Sequence, residues 1–226
     1  DDQEGVMKGQ NRKKMSAALN LQYQYKGLTF RNQMTTTLVN SQESPYGTFS
    51  DYVRMNPYDT YLDENGNIGM NMATWHSGSP YRNPMYDATL GSFDKGKRHE
   101  FYDQFDVRYY LNKKINFKAN VALGYIVSDS DKFTDPAAAK FQSTEKKGQL
   151  TTSRQKQSTY DISLNGYYND QIGRHNINFV VGLNIREEKT DYEGFTYSGF
   201  PEGGFSAPGY AKDIDTKSYL EGKNRL

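Results

Sequence analysis

The strongest constraint on the fold is a regular alternation of apolar and polar residues in segment 115–127. Its apolar positions run from Ile115 through Val121 to Val127, and the positions between them are mostly polar or small. Successive side chains of a strand point to opposite faces, so the pattern predicts a β-strand with one apolar and one polar face. Segment 100–111 alternates in the same way, and the short link between the two segments suits a tight hairpin turn.

Two further hairpins are predicted by the same pattern. One spans residues 15–39 and turns at Lys26 and Gly27, and the other spans residues 159–186 and turns near Gly173. Each arm has about 12 residues, which is longer than an average soluble strand and close to the length of a tilted membrane-spanning strand. The sequence therefore predicts about six long antiparallel strands.

Long polar segments separate the three hairpins. They occupy residues 40–98, 128–157 and 187–226. Short turns at one end and long loops at the other are typical of bacterial outer-membrane β-barrels, in which the turns are periplasmic and the loops extracellular. The predicted fold class is all-β, an antiparallel transmembrane β-barrel segment with these three segments as extracellular loops.

Aromatic residues mark both ends of the predicted strands. Tyr23 and Tyr109 lie near the short turns, whereas Tyr125 and Tyr160 lie near the long loops. The path from Phe101 to Tyr109 corresponds to roughly 20 Å along the membrane normal after strand tilt, near the height of the apolar band of such barrels. Two interfacial aromatic belts are therefore expected.

Composition excludes several other classes. Hydrophobic residues make up 35% of the 226 residues and the mean hydropathy is −0.92, so a helical membrane protein is excluded, whereas strands of alternating polarity are not. The formal charge of +1 gives no basis for nucleic-acid binding. The absence of cysteine excludes a disulfide framework and a zinc–thiolate site.

The alternating pattern leaves two ways to place the faces. In a membrane barrel the Val121 side would face lipid and the Asn120 side a water-filled lumen. In a soluble antiparallel sandwich the apolar sides would instead pack against each other. A dry core of many asparagines is costly without complete pairing, which favours the barrel. The alternative function is a secreted β-sandwich carbohydrate-binding module with Trp75 and nearby tyrosines as its platform.

Several local motifs resemble a known family. Residues 44–50 (SPYGTFS), 56–59 (NPYD), 83–88 (NPMYDA) and the segment 173–184 resemble the barrel region of SusC/RagA-type TonB-dependent transporters of Bacteroidetes. The resemblance spans essentially the whole chain. It implies an outer-membrane location and import of glycan or peptide oligomers. It also implies a SusD-like surface lipoprotein as partner and TonB as the source of energy.

The family resemblance also implies a larger assembly. Its members have a barrel of 22 strands with an N-terminal plug domain, and no plug and no TonB box are recognised in residues 1–226. Six strands cannot close a membrane barrel of this class, and open edges in lipid leave backbone groups unpaired. The chain is therefore expected to be part of a longer barrel, with TonB acting through a region outside it.

No catalytic motif is convincing. The segment Gly91–Arg98 matches a phosphate-binding loop except at the position of the metal-binding hydroxyl, where Arg98 stands. The turn at Asp63–Asn67 is interpreted as a plain turn, with a Ca²⁺ loop as the alternative. Asp103 and Asp106 are expected on the strand face toward the lumen. The sequence thus predicts no enzyme, no metal site and no cofactor.

Ligand contact is instead assigned to loop aromatics and to polar residues of the lumen. Flat rings in the first long loop could stack on sugar faces or on peptide side chains. Packing of the loop and solvation of the lumen are the alternative roles for these side chains. The candidate ligand-binding residues are Trp75, Tyr81, Tyr86, Lys118, Asn120 and Arg186.

Overall fold

The computed structural model describes residues 1–73 and 81–225, which form one eight-stranded antiparallel sheet and a separate two-stranded sheet. The strands are β1 (Asp2–Glu4), β2 (Asn11–Tyr25), β3 (Leu28–Gln42), β4 (Thr60–Leu62), β5 (Ile68–Ala73), β6 (Phe93–Tyr110), β7 (Ile115–Thr134), β8 (Gln149–Ile172), β9 (His175–Ser198) and β10 (Asp213–Arg225). The order in the large sheet is β1-β2-β3-β6-β7-β8-β9-β10, and β4 pairs with β5.

Helical structure is limited to single turns. α1 spans Phe49–Val53 and α2 spans Pro84–Ala88, and two 3₁₀ turns span Ala139–Phe141 and Pro208–Tyr210. Within residues 1–73 and 81–225, no helix is long and apolar enough to cross a membrane.

The three predicted hairpins are confirmed. β2 and β3 meet at Lys26 and Gly27, where Lys26 has a φ of 50°. β6 and β7 meet across the 111–114 turn, and β8 and β9 meet at Gly173, whose φ of 63° suits a residue without a side chain. The antiparallel all-β class is therefore confirmed. The sheet formed by the described residues is open, and closure into a barrel stays a prediction.

The strands are longer and more numerous than predicted. The expected loops 40–98, 128–157 and 187–226 shrink to residues 43–92, 135–148 and 199–212, and β10 follows the last of these. The strand ends had little apolar alternation to reveal them, because most of their side chains are polar and apolar ones such as Phe93, Phe133 and Leu150 are isolated. They are held instead by the ladder of main-chain hydrogen bonds, which does not depend on the side chains.

The two faces of the large sheet differ in polarity toward the short turns. The face that carries Val121 is termed the apolar face, and the face that carries Asn120 is termed the polar face. One cross-strand row of the apolar face consists of Leu21, Asn32, Phe105, Val121, Ile162 and Ile185. Phe179 remains 60% exposed, Val181 59% and Leu183 57%. In the described part of the chain, no second sheet covers these side chains, which disfavours the sandwich.

The aromatic residues lie in rows on the apolar face. Tyr109 pairs with Phe117 in the row nearest the short turns, and Phe101 pairs with Tyr125 four rows farther toward the long loops. Tyr160 lies one row below that upper belt. All five side chains project from the same face because they are separated by even numbers of residues along their strands.

The buried core lies at the long-loop end. Phe133, Leu150 and Phe200 are only 1%, 3% and 5% exposed, and Phe93 and Tyr197 pack against them. The rings of Phe133 and Phe200 meet edge to face with centroids 5.3 Å apart. The loop at 199–212 thus closes over the ends of β7 and β8, and the long-loop end is the compact part of the molecule.

A buried asparagine organises part of the insert at 43–92. Asn83 is completely buried, and its amide donates hydrogen bonds to the backbone carbonyls of Tyr61 and Gly69. Its Oδ1 accepts from the Met85 N–H and caps α2. One side chain thereby joins the β4–β5 hairpin to α2.

Candidate functional site

A hydrogen-bonded network occupies the polar face near the short turns. The Asn120 amide donates to Asp106 Oδ1 at 2.8 Å, and the Gln104 amide donates to Asp106 Oδ2 at 3.1 Å. Asn120 and Asp106 are direct partners across β6 and β7. Both carboxylate oxygens of Asp106 are therefore engaged by neutral donors.

A groove of about 530 Å³ runs beside this network. It carries three basic side chains against a single acidic one among the residues that line it. Its lining residues are Gln22, Gln24, Thr29, Arg31, Gln33, Gln104, Asp106, Val107, Arg108, Tyr110 and Lys118. The groove is thus rich in hydrogen-bond donors and carries a net positive charge.

A second concave site lies in the insert at the long-loop end. It has a volume of about 450 Å³, and its lining includes Pro45, Arg54, Tyr81 and Pro84. The Tyr81 hydroxyl donates to Asp59 Oδ2 at 2.8 Å. Desolvation, together with this hydrogen bond, raises the pKa of Tyr81 above its ordinary value. The phenol therefore stays neutral at physiological pH and can serve as a hydrogen-bonding aromatic surface.

The predicted ligand-binding residues fall into two groups. Lys118 and Asn120 lie together on the polar face of β7, and Arg186 lies on the same face of β9 beside Asp161. Tyr81 lines the pocket in the insert, whereas Tyr86 lies half-buried in α2 outside its lining. Trp75 lies outside the described residues.

The two groups are far apart along the sheet. The insert contacts the far end of β7, where the Gly91 N–H donates to Asp135 Oδ2 and the Ala139 N–H donates to Asp87 Oδ1. Lys118 lies near the opposite end of the strand, which places it roughly 50 Å from these contacts at about 3.3 Å per residue. The structure therefore separates an outer aromatic site from an inner polar site.

Sequence analysis missed two members of the inner site, Arg31 and Arg108. Both occupy polar-face positions, and Arg108 lies directly opposite Lys118 across the β6–β7 turn. The signal was present, because residues equidistant from a hairpin turn become cross-strand partners. Among the described residues, no group of three or more His, Asp or Glu side chains could hold a metal ion.

The expected position of Asp103 is wrong. It lies on the apolar face between Met34 and Leu123, only 7% exposed, and not on the polar face that carries Asn120. The reason is the alternation along the strand. Asp103 lies two positions from both Phe101 and Phe105, so its side chain points to the same face as theirs. Its Oδ1 accepts a hydrogen bond from Asn32, which is buried as well. Asp106 has the opposite parity and lies on the polar face.

The fold is similar to that of solved transporter structures. The RagAB peptide importer in the open-open state matches with a TM-score of 0.72 and 17% identity, over 96% of this chain and 24% of that chain. The closed-closed state of the same importer matches with a TM-score of 0.69 and 15% identity, over 96% of this chain and 25% of that chain. A structure of the RagAB peptide transporter matches with a TM-score of 0.72 and 17% identity, over 100% of this chain and 26% of that chain.

These likenesses concern the fold, because the identities are low. They confirm at that level the resemblance to SusC/RagA-type transporters that the sequence motifs indicate. The chain spans about a quarter of the length of the solved chains that it matches. No family model and no curated protein matches the sequence.

Proposed function

We propose that this chain is part of an outer-membrane, TonB-dependent transporter that imports oligomeric nutrients without chemical change. The observation that carries the proposal is the bare apolar face of the large sheet. Leu19, Leu164 and Ile185 are 49%, 49% and 53% exposed there, while the opposite face is polar. A large continuous apolar surface is unfavourable in water and suited to contact with hydrocarbon.

The arrangement of connections supports the same function. The turns of the β2–β3, β6–β7 and β8–β9 hairpins lie at one end of the sheet, and the insert, the loops at 135–148 and 199–212 and the short β1–β2 turn lie at the other. Outer-membrane barrels have this asymmetry, with the short turns in the periplasm and the loops outside the cell. The similarity in fold to the RagAB peptide importer agrees with a transport role.

The proposed partners follow from the family resemblance and from the structural likeness. A SusD-like surface lipoprotein would cover the long-loop end, and TonB would act through a region outside this chain. The substrate is an oligomer, either a peptide or a glycan. The name of the RagAB peptide importer favours the peptide.

The two candidate sites have distinct proposed roles. Tyr81 belongs to the outer site, where its aromatic side chain contacts the oligomer on arrival. Tyr86 beside it is a second proposed contact, and Trp75, a third, lies outside the described residues. Lys118, Asn120 and Arg186, on the polar face, line the water-filled pathway. No side chain in either site is proposed to make or break a covalent bond.

Cell fractionation tests the proposal. The full-length protein should sediment with the outer membrane, and its mobility on a gel should change on heating, as expected of a folded barrel. A deletion strain should lose growth on peptide or on glycan oligomers supplied as the sole nutrient, and the pair of media distinguishes the two substrates. A protein found in the soluble fraction with unchanged mobility would contradict the proposal.

A further inference from the structure

Two like charges face each other in the inner groove. Arg108 and Lys118 are direct cross-strand partners of β6 and β7 on the polar face, where side chains of such pairs start about 5 Å apart. Like charges placed directly opposite each other destabilise a strand pair. Arg108 donates only a long hydrogen bond of 3.4 Å to the Tyr110 hydroxyl. Its positive charge is therefore not neutralised by this contact.

A third cation lies on the neighbouring strand. Arg31 pairs in register with Asp106, one row away from Arg108, and all three basic side chains line the same groove. Within the described residues, no hydrogen bond or ion pair engages the side chains of Arg31 and Lys118. The cluster thus has three cations with free donors.

Asp106 does not neutralise this cluster. Its two oxygens accept from Asn120 and Gln104, and no ion pair joins it to a basic side chain in the part of the chain that the structure describes. Asp106 is the single acidic residue in the lining. The groove therefore keeps an excess of two positive charges, and the directly opposed pair Arg108 and Lys118 gains no stability from its charges.

We propose that this groove is a binding site for the carboxylate groups of an acidic oligomer, with Arg31, Arg108 and Lys118 as its ligands. The inference rests on the proposed transport function and names the substrate class for the inner site. A bound carboxylate lies between Arg108 and Lys118 and converts their repulsion into two attractive contacts. Arg side chains suit this ligand because the guanidinium group binds a carboxylate through two parallel hydrogen bonds.

The remaining lining fits an oligomer with polar links. Gln22, Gln24 and Gln33 offer amide donors and acceptors beside the cations. A volume of about 530 Å³ holds a short stretch of an extended chain. Two sources provide the required chemistry, peptides with aspartate or glutamate and glycans with uronic acids. Both are repeating chains that carry carboxylate groups at regular intervals.

Binding to the full-length protein in lipid nanodiscs tests the inference. The peptide probes are tetraglutamate and its neutral counterpart tetraglutamine, and the glycan probes are a galacturonic acid tetramer and a neutral galactose tetramer. The acidic member of at least one pair should bind at least tenfold more tightly than its neutral counterpart at low salt. This preference should shrink as the salt concentration rises.

The matched variants assign the effect to the cluster. Arg108→Gln combined with Lys118→Gln should remove most of the preference for the acidic probe over its neutral counterpart. Arg108→Lys retains the charge and should restore part of the preference. Lys97→Gln is the control, because Lys97 is an exposed cation of β6 outside the groove.

The outcomes separate this inference from the proposed function. Equal binding of acidic and neutral probes, or a preference that survives the double variant, overturns the carboxylate site. Equal binding is also expected if an acidic protein segment already occupies the groove and excludes the probes, and the groove is then assigned to that segment. Import of neutral oligomers by cells then still supports the transport function. The transport function is contradicted by a separate result, which is absence of the full-length protein from the outer membrane.

Discussion

Asn32 donates a 2.5 Å hydrogen bond to Asp103 across β3 and β6, on the face of the sheet where the neighbouring rows are apolar. Both side chains are buried, at 5% and 7% exposure. A buried carboxyl group that loses its partner bears the full cost of desolvation. The pair is therefore expected to be sensitive to loss of either member.

The first prediction concerns this pair. Asn32→Leu should destabilise the folded protein by about 1–3 kcal/mol, because Asp103 then lacks its donor. Urea-induced unfolding in lipid vesicles measures the free energy of unfolding. The double variant Asn32→Leu/Asp103→Leu should recover most of the loss, since both polar groups are gone. Additive losses in the double variant would contradict the coupling.

The second prediction tests which face contacts lipid. Val121→Arg should destabilise the folded protein by about 2–4 kcal/mol if Val121 lies near the bilayer midplane. Ala122→Arg is the matched control, because Ala122 is the next residue of β7 and lies on the polar face beside Gln104 and Asp161. Its effect should be small. A larger effect of Ala122→Arg would show that the faces are inverted.

The third prediction concerns the core at the long-loop end. Phe200→Ala should cost about 3–5 kcal/mol of local stability, because it removes the ring that packs on Phe133. The loop at 199–212 should then be cleaved rapidly by an added protease while the hairpins stay intact. Phe205→Ala in the same loop is the control, because Phe205 is 45% exposed. Equal cleavage of the two variants would contradict the assigned core.

The fourth prediction concerns pH at the same end, outside the apolar band. Lys146 forms an ion pair with Asp213, and its ammonium group lowers the pKa of that carboxyl below the ordinary value of 3.8. A carboxyl with a lowered pKa in the folded state stabilises that state above pH 3.8, and this contribution is lost as pH falls through the folded value. The protection of amides in the loop at 135–148, expressed relative to their intrinsic exchange rate at each pH, should therefore fall at acid pH.

The pKa of Lys146 gives the loop a second pH response, on the alkaline side. The same contact raises its pKa above 10.5, so its stabilisation is lost as pH rises through that higher value. Lys146→Gln should remove both pH responses of the loop while the amide exchange of β7 stays unchanged. Protection factors of the loop that remain equally pH-dependent in this variant would assign the response to another group.

The hairpins could be predicted from the sequence because their signal is local. Alternation around Val121 and around Leu183 fixes both the strand and its face, and a short turn fixes which residues become partners. The same parity also assigns Asp103 to the apolar face. That position was missed because the chemical preference of a carboxylate for water was given more weight than its place in the alternation.

The remaining structure depends on contacts that no short pattern encodes. The core joins Phe133, Leu150 and Phe200, which come together only after three strands have paired. In the outer part of β8, from Gln149 to Ser158, Leu150 is the single apolar residue, so hydrophobic periodicity is absent there. The inner site required cross-strand register between separate hairpins, which places Arg31 beside Arg108.

The length of the strands determines how far this protein would extend from the surface of a cell. With Tyr160 at the outer interface, the ten residues Gln149–Ser158 of β8 would stand about 25 Å above the bilayer after tilt. The insert would then be raised through much of the saccharide coat. Antibody fragments against it should stain intact cells, whereas those against the Gly173 turn should require permeabilised ones.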